Sequence, residues 1–310
     1  MKWHKLGKIF CIDESNNSDW MNSYCFAPVV ENLSDFEIRM YFNTLGKDGK
    51  SRVGFLELDI RNPSKVTRIS EKPILTTGEL GSYDDEGVSI SSILITEEKI
   101  RYLYFVGWNL CKTVPSRNSI GLAASDTDDP YDFTKYTNAP ILDRNYIDPY
   151  SLSYPWVFKE NDTWKMFYGS VFSWGQSKDG QYNEATEILR YAEAKDSIHW
   201  ERSGNVIIPE SKKISGRVIR PCVVRDWPVY KMWFSYTLKD NTYRIGYAES
   251  LDGMKWRRVD DVSGISISDT GWDSKDIGLP CVFSCNDQLY LAYNGNRLGE
   301  SGIGLAILEA

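Results

Sequence analysis

One phrase recurs in this chain, and the recurrence limits the fold more than any other feature. Residues 188–204 read ILRYAEAKDSIHWERSG, and residues 244–258 read RIGYAESLDGMKWRR. Each is a small alternating strand, an acidic bend, and a Trp followed by basic residues. The phrase also stands at Ser119 (SIGLAASDTDDPYDFTKY), in worn form at Arg52 (RVGFLELDIRNPSKVTRI), and at Gly302, where GIGLAILEA ends the chain. An aromatic strand precedes each copy: IRMYF at Ile38, RYLYFVGW at Arg101, WKMFYGS at Trp164, YKMWFSY at Tyr230 and LYLAYNG at Leu289. A short apolar strand precedes that one: APVV, SSILI, YPWVF, RPCVV and LPCVF. Anchored on Pro28, Ser91, Pro155, Pro221 and Pro280, the copies are 63, 64, 66 and 59 residues apart.

Periods of this size point to repeat architectures. Each unit supplies an inner apolar strand, an aromatic strand, an IGYA-type strand and an outer strand, with bends rich in Asp, Gly, Asn and Ser as turns require. No segment has the pattern of a long amphipathic helix. A four-stranded antiparallel sheet written five times predicts an all-β, five-bladed β-propeller, a single domain over residues 1–310. The last copy lacks its outer strand, and KWHKLGKIF near the N-terminus matches the outer strands that begin at Lys255 and His199. Residues 2–12 are therefore expected to complete the last blade and close the ring. A solenoid would leave both ends unpaired. Trp200 and Trp256, inside the repeated phrase, are read as packing between blades.

Composition narrows the function. The net charge of −7 argues against a nucleic-acid partner, whose binder usually shows a basic face. No apolar run has the length of a membrane span, and the first ten residues do not form a signal peptide. Six cysteines contain no CxxC pair, so reduced, mostly buried thiols and a cytoplasmic setting are expected. Two histidines, His4 and His199, leave little material for His-based catalysis or zinc, and no cofactor or metal site is expected. The aromatic content of 14% suits both β packing and surfaces on which sugar rings stack.

In a propeller the loops that enter the innermost strands reach the axial funnel. Here those loops differ from blade to blade: SDWMNSYCFAP, GSYDDEGVSIS, NYIDPYSLSYP, KKISGRVIRP and GWDSKDIGLP. Asp85 stands six residues before its anchor, beside Asp84 and Glu86; Asp148 and Asp273 stand seven before theirs. With Asp276 they form a set of carboxylates able to share acid and base roles, as glycoside cleavage requires. The same residues are also suited to cap turns, Asp148-Pro149 especially. Arg217 and Arg220 enter from the fourth blade. The insert WNLCKTVPSRNSIG brings Trp108, Arg117 and Asn118 toward the rim. YNGNRLGESGIG carries Asn294, Asn296 and Arg297, and residues 172–187 could form a lid with Trp174. Trp108, Tyr154, Trp174 and Trp272 offer ring faces to a sugar, while amides and guanidinium groups bind hydroxyls and anions.

Blade count, phrase order and the segment MWFSY…YRIGYAESLDGMKW resemble the five-bladed propeller glycosidases of families 32, 43 and 68 and the mannoside phosphorylases of family 130. GWDS (271–274) and YNGN (293–296) resemble segments of uncharacterised glycosidase-like propellers found with bacterial surface-polysaccharide genes. The resemblance covers nearly the whole chain. It implies the fold and a carbohydrate-active function: hydrolysis, phosphorolysis or glycosyl transfer on a glycoside or sugar phosphate. Those glycosidases place an acid directly before the inner-strand Pro. This chain has Ala27, Tyr154 and Arg220 there, serines at 91 and 92, and Ser23 after WMN (20–22), so its acids are expected on the longer loops, chiefly Asp85 and Asp273. The rival readings are a non-catalytic glycan-binding propeller and a scaffold that uses its rim.

Overall fold

A computed structural model describes residues 1–176, 183–208 and 216–309. Its described residues are strands and turns, with only a 3₁₀ turn at Asp260–Val262 and a short helix, α1, at Asn296–Gly299. No helix among them is long and apolar enough to cross a membrane. After β1 (Trp3–Phe10), the chain lays down β2 (Ser23–Asn32), β3 (Glu37–Leu45), β4 (Ser51–Asp59) and β5 (Val66–Ile69) as consecutive antiparallel neighbours. β6 (Gly87–Ile95), β7 (Arg101–Leu110), β8 (Ser116–Ser125) and β9 (Thr134–Lys135) repeat the pattern. A single parallel pair, Ser51 with Gly87, joins these two groups. Two further four-stranded sheets follow: β10 (Leu152–Glu160), β11 (Thr163–Gln176), β12 (Asn183–Ala194) and β13 (Glu201–Val206), then β14 (Val218–Asp226), β15 (Val229–Thr237), β16 (Tyr243–Ser250) and β17 (Arg257–Arg258). β18 (Gly278–Cys285), β19 (Gln288–Asn294) and β20 (Ile303–Leu308) form the last sheet, and β1 is its fourth strand, running from Trp3 opposite Leu308 to Phe10 opposite Ile303.

The anchor residues mark a repeated backbone irregularity. The ladder of each inner strand slips at the anchor: between Phe26 and Val29, Ile90 and Ser92, Ser153 and Trp156, Ile219 and Cys222, and Gly278 and Cys281. Ala27, Tyr154, Arg220 and Leu279, each directly before a proline, have φ of 51°, 42°, 55° and 52°. Left-handed backbone is unfavourable for side chains of this size, so each bulge is held by its surroundings.

Side chains on the second strands supply that hold. Asn43 on β3 accepts from Ile90 N–H at 2.6 Å and donates to the Ile90 and Phe26 carbonyls. Ser235 on β15 accepts from Leu279 N–H at 2.7 Å. Asn294 on β19 accepts from Ala27 N–H at 2.7 Å and donates to the Cys25 carbonyl at 2.8 Å. In each case the donor lies in the next sheet, so the clamp joins neighbouring sheets.

The apolar cores lie between sheets. One unites β2–β4 with β6–β8, another β7–β8 with β10–β12, and others follow in chain order; the last packs Ile9, Phe10, Cys281 and Leu305 against Met21, Ile38 and Met40. Edge-to-face aromatic pairs stitch four of the seams: Tyr41–Phe133, Tyr104–Trp200, Phe167–Trp256 and Trp233–Trp3. Trp200 and Trp256 thus do pack between sheets. All six cysteines carry free thiols; Cys111 is exposed.

Candidate functional site

The entry-loop carboxylates do not meet. Asp148 is fully buried and both its oxygens are engaged. Oδ2 accepts from Tyr168 OH at 2.8 Å and Arg202 at 3.0 Å, while Oδ1 accepts from Ser170 at 2.7 Å and pairs with Arg190 at 3.0 Å. Asp273, 2% exposed, pairs with Lys5 at 2.6 Å and accepts from Tyr293 OH at 3.0 Å. The equivalent residue in the β6–β9 sheet is Asp84, not Asp85; it is 1% exposed and pairs with Lys135 at 2.6 Å. Lys135, Arg202 and Lys5 all sit on the fourth strand of the sheet that the loop enters. Asp84, Asp148 and Asp273 are therefore latches that pin each entry loop to its own sheet. Asp148 and Asp273, expected to act on a substrate, are both buried and paired within their own sheets.

Asp85 is half-buried in the loop before β6. It accepts from Gly81 N–H at 2.8 Å and from Asn109 at 2.6 Å, and these bonds, with nearby Lys50, hold its carboxyl below the usual range. An acid so stabilised stays ionised at neutral pH and does not donate a proton. Asp276 accepts from Tyr243 N–H at 2.6 Å and Arg297 N–H at 3.1 Å, fixing a loop. Asn296 accepts from Lys275 and Asp276 N–H and donates to Gly271 O. Asn294 is the buried inter-sheet clamp. Trp272 packs on Tyr293 at 5.3 Å and against Gly295 and Gly304, where added Cβ atoms would lie 2.4 and 2.2 Å from its ring. These four side chains thus shape the last sheet and carry no observed ligand-facing role.

Arg220 is also structural. It is fully buried, donates to the carbonyls of Ser91 and Pro28, and lies 5.8 Å from the Tyr154 ring. It ties three inner strands together and has no carboxylate partner among the described residues; burial lowers its pKa. Arg117 pairs with Asp143 at 2.9 Å. Trp174 sits opposite Ala185 in the extended β11–β12 hairpin, and the tip of the expected lid, residues 177–182, lies outside the described residues, as do residues 212–215 of the loop before β14.

Three expected residues do come together. Trp108, Asn118 and Tyr154 line a cavity of about 380 Å³ with Ser51, Ser89 and Ser153; Phe26, Leu110 and Pro115 supply apolar wall. Trp108 donates its Nε1–H to Ser51 Oγ at 2.8 Å, which fixes the indole. Arg217 lines a second cavity of about 210 Å³, with Glu184, Thr237, Asn241 and Tyr243. Phe26, Tyr154, Tyr243 and Leu298 of α1 pack in one apolar cluster that touches both cavities.

Glu187 joins the two, and the sequence reading passes over it. Ser153, from the first cavity, donates to its Oε2 at 2.8 Å, and Arg217, from the second, lies 3.5 Å from its Oε1. Burial opposes the charge of Arg217, but Glu187 and Tyr243 outweigh it and keep the guanidinium protonated. Arg217 also donates to Tyr243 OH at 3.3 Å. Burial raises the phenols of Tyr154 and Tyr243, so both remain O–H groups at neutral pH.

A signal for these residues does exist in the repeat. With the third strands aligned on Gly54, Gly121, Arg190 and Gly246, the residue three positions earlier is Ser51, Asn118, Glu187 and Tyr243. All four line or bridge the cavities.

No family model matches the chain. Two curated proteins of Mycobacterium tuberculosis do match it from end to end. "Uncharacterized protein MT1551" of strain CDC 1551 / Oshkosh and "Uncharacterized protein Rv1502" of strain ATCC 25618 / H37Rv are each 40% identical over 311 residues, covering 100% of both chains. Among solved structures, a protein described as a glycoside hydrolase superposes with a TM-score of 0.74 at 16% identity, covering 98% of this chain and 91% of its own. A structure from work on the family 130 mannoside phosphorylases gives 0.71 at 15% identity over 99% and 93%. A thermostable family 43 glycoside hydrolase gives 0.66 at 16% identity over 94% and 91%. The chain therefore belongs to the family that the two mycobacterial proteins represent, and it shares its fold with these glycoside hydrolase structures.

Proposed function

We propose that this is a single-domain, closed five-bladed β-propeller that binds and transforms a sugar at its hub. The blade count is supported by five equivalent bulges, and closure by the β1–β20 pairing and the Asn294 clamp onto β2. A cytoplasmic setting is supported by the free thiols. The reading rests above all on one observation: two adjoining cavities, one faced by an indole, hydroxyls and an amide, the other by a guanidinium, are bridged by the buried carboxylate of Glu187.

That arrangement suits chemistry at a glycosidic or sugar–phosphate bond. Trp108 and Tyr154 offer ring faces to the C–H side of a sugar. The hydroxyls and the Asn118 amide meet its oxygens. Glu187 is the group placed to move a proton, with Arg217 3.5 Å from its Oε1. Proton transfer by a positioned carboxylate contributes about 10²–10⁴ in rate. Structural neighbours described as glycoside hydrolases support the same class of ligand.

A second reading, a glycan-binding propeller without catalysis, is favoured by the sequestered state of Asp148 and Asp273. One experiment separates the two. Aryl glycosides, sugar phosphates and nucleotide sugars are screened for turnover and binding with wild type, Glu187→Gln, Asp85→Asn and Asp273→Asn. Catalysis at the hub predicts a fall of roughly 10²-fold or more in Glu187→Gln, with Asp85→Asn near wild type and Asp273→Asn chiefly less stable. Equal turnover in wild type and Glu187→Gln sinks the acid–base assignment. Binding without turnover by any variant establishes the second reading.

A further inference from the structure

We propose that the cavity of about 380 Å³ is a subsite for an uncharged pyranose ring, and that Asn118 is its selecting residue. The inference rests on the sugar-binding reading above and makes it specific. First, among the described residues no charged side chain lines this cavity. A carboxylate or phosphate entering it would lose its hydration without gaining a counter-charge. Neighbouring guanidinium groups are engaged elsewhere: Arg117 with Asp143, Arg220 with two backbone carbonyls, Arg217 with Glu187. Strand alternation along β8 puts Ser116 and Asn118 on the cavity wall and sends Arg117 to the other face.

Second, the wall is built and held. The Trp108 indole is fixed by its bond to Ser51 Oγ, and Ser51 donates in turn to Val88 O at 2.9 Å. The pair lies against the backbone of Gly87, where a Cβ would stand 2.2 Å from Trp108 Nε1 and 2.3 Å from Ser51 Oγ. The chain thus leaves out a side chain where the platform needs room.

Third, the Asn118 carboxamide has no partner among the described residues. Its Oδ1 is buried and unbonded, and only its backbone N–H is engaged, with Ser151 Oγ at 3.2 Å. An unbonded amide in a wall weakens the fold, so the protein holds it there for what it meets. A sugar hydroxyl both donates and accepts, and it satisfies whichever end of the amide faces the cavity. An apolar ligand would leave the amide unmet.

The test compares methyl and aryl pyranosides with the matching uronides, which differ by a carboxylate at C6. Binding is measured by calorimetry and melting by scanning fluorimetry, for wild type, Asn118→Leu and Trp108→Ala. Wild type is expected to bind the neutral ring about tenfold or more tighter than its uronide. Asn118→Leu should lose about tenfold or more for the neutral ring while melting no lower than wild type, because it removes an unpaired amide. A structural amide would instead melt lower. The inference is overturned if Asn118→Leu binds like wild type, if it melts markedly lower without ligand, or if uronides bind as well as neutral rings. Failure of wild type to bind any glycoside, uronide or sugar phosphate overturns the sugar-binding reading itself, and this inference with it.

Discussion

Two sets of equivalent residues in this molecule teach opposite lessons. Asp84, Asp148 and Asp273 occupy one place in three repeats, seven residues before the bulge. All three are buried, and all three are paired with a basic residue of their own sheet's fourth strand. Ser51, Asn118, Glu187 and Tyr243 also occupy one place, at the head of the third strands. They differ in chemistry, and they face or bridge the two cavities. A repeat that keeps one residue type at one register is meeting a need every repeat has. A repeat that varies the residue at one register is free of that need, and there a ligand can decide.

The sharpest way to break this comparison is to remove a latch. Asp148→Ala leaves Arg190 and Arg202 buried without their shared carboxylate, along with the freed hydroxyls of Tyr168 and Ser170. Breaking one side of a buried ionic group costs about 3–5 kcal/mol. Urea unfolding should show that loss, and Asp148→Asn should show less of it because the hydroxyl donors keep an acceptor. A loss below about 1 kcal/mol would mean that the latches are not architectural.

The next test sharpens the same contrast at the seam between the last sheet and the first. Asn294→Ala strands the Ala27 N–H and the Cys25 carbonyl in a fully buried site. Each group left unpaired costs about 1–3 kcal/mol. Hydrogen exchange should quicken first along β2 and β19. Uniform quickening across all sheets would show that the clamp is not local.

The repeat explains why the fold was legible in the sequence and much of the site was not. Pro28, Pro155, Pro221 and Pro280 each follow a residue in left-handed backbone, so the anchors chosen by spacing alone are the bulges of the structure. The outer-strand likeness of KWHKLGKIF likewise foretells its pairing with β20. The entry-loop acids mislead because spacing says where a side chain starts and not where it turns. Asp148 turns to Arg202, 54 residues away, and Asp273 turns to Lys5, 268 residues away. Long-range partners of that kind leave no local pattern. The choice of Asp85 over Asp84 has another origin, since a count of seven residues back from Ser91 reaches Asp84, the place that Asp148 and Asp273 hold before their prolines. Glu187 is readable by alignment of third strands, but it stands at the junction of the 172–187 insert with the repeated phrase, outside the entry loops where the acids are expected.

A carboxylate at a sheet seam but outside the lining of both cavities offers an intermediate case. Glu160 on β10 accepts from Lys165 and Tyr230 OH, each at 2.5 Å, and pairs with Arg225 at 2.6 Å. Burial works against its charge, but those partners outweigh it and hold its carboxyl below the usual value. Its folded pKa lies under its unfolded one, so its stabilisation is complete above about pH 4.5 and is lost as pH falls through the folded value. Glu160→Gln should remove on the order of 1 kcal/mol at neutral pH and flatten the acid limb of a stability–pH curve. An unchanged acid limb would place Glu160 with the exposed pairs.

The smallest effect is expected where the comparison is easiest to overturn. Arg117 and Asp143 form a surface pair with side chains 38% and 35% exposed. Such pairs contribute about 0–1 kcal/mol, because water screens the charges and ordering two side chains has its own cost. Asp143 also keeps Ser119 Oγ at 2.8 Å when the guanidinium is gone. Arg117→Ala should therefore unfold within about 1 kcal/mol of wild type. It should also bind neutral pyranosides unchanged, since its side chain turns off the cavity wall that Asn118 faces. A loss of about tenfold in affinity without loss of stability would mean that Arg117 leaves Asp143 to meet the ligand. Register on β8 would then no longer divide ligand-facing residues from architectural ones, and the contrast between the two sets would fail at the strand where it is most closely drawn.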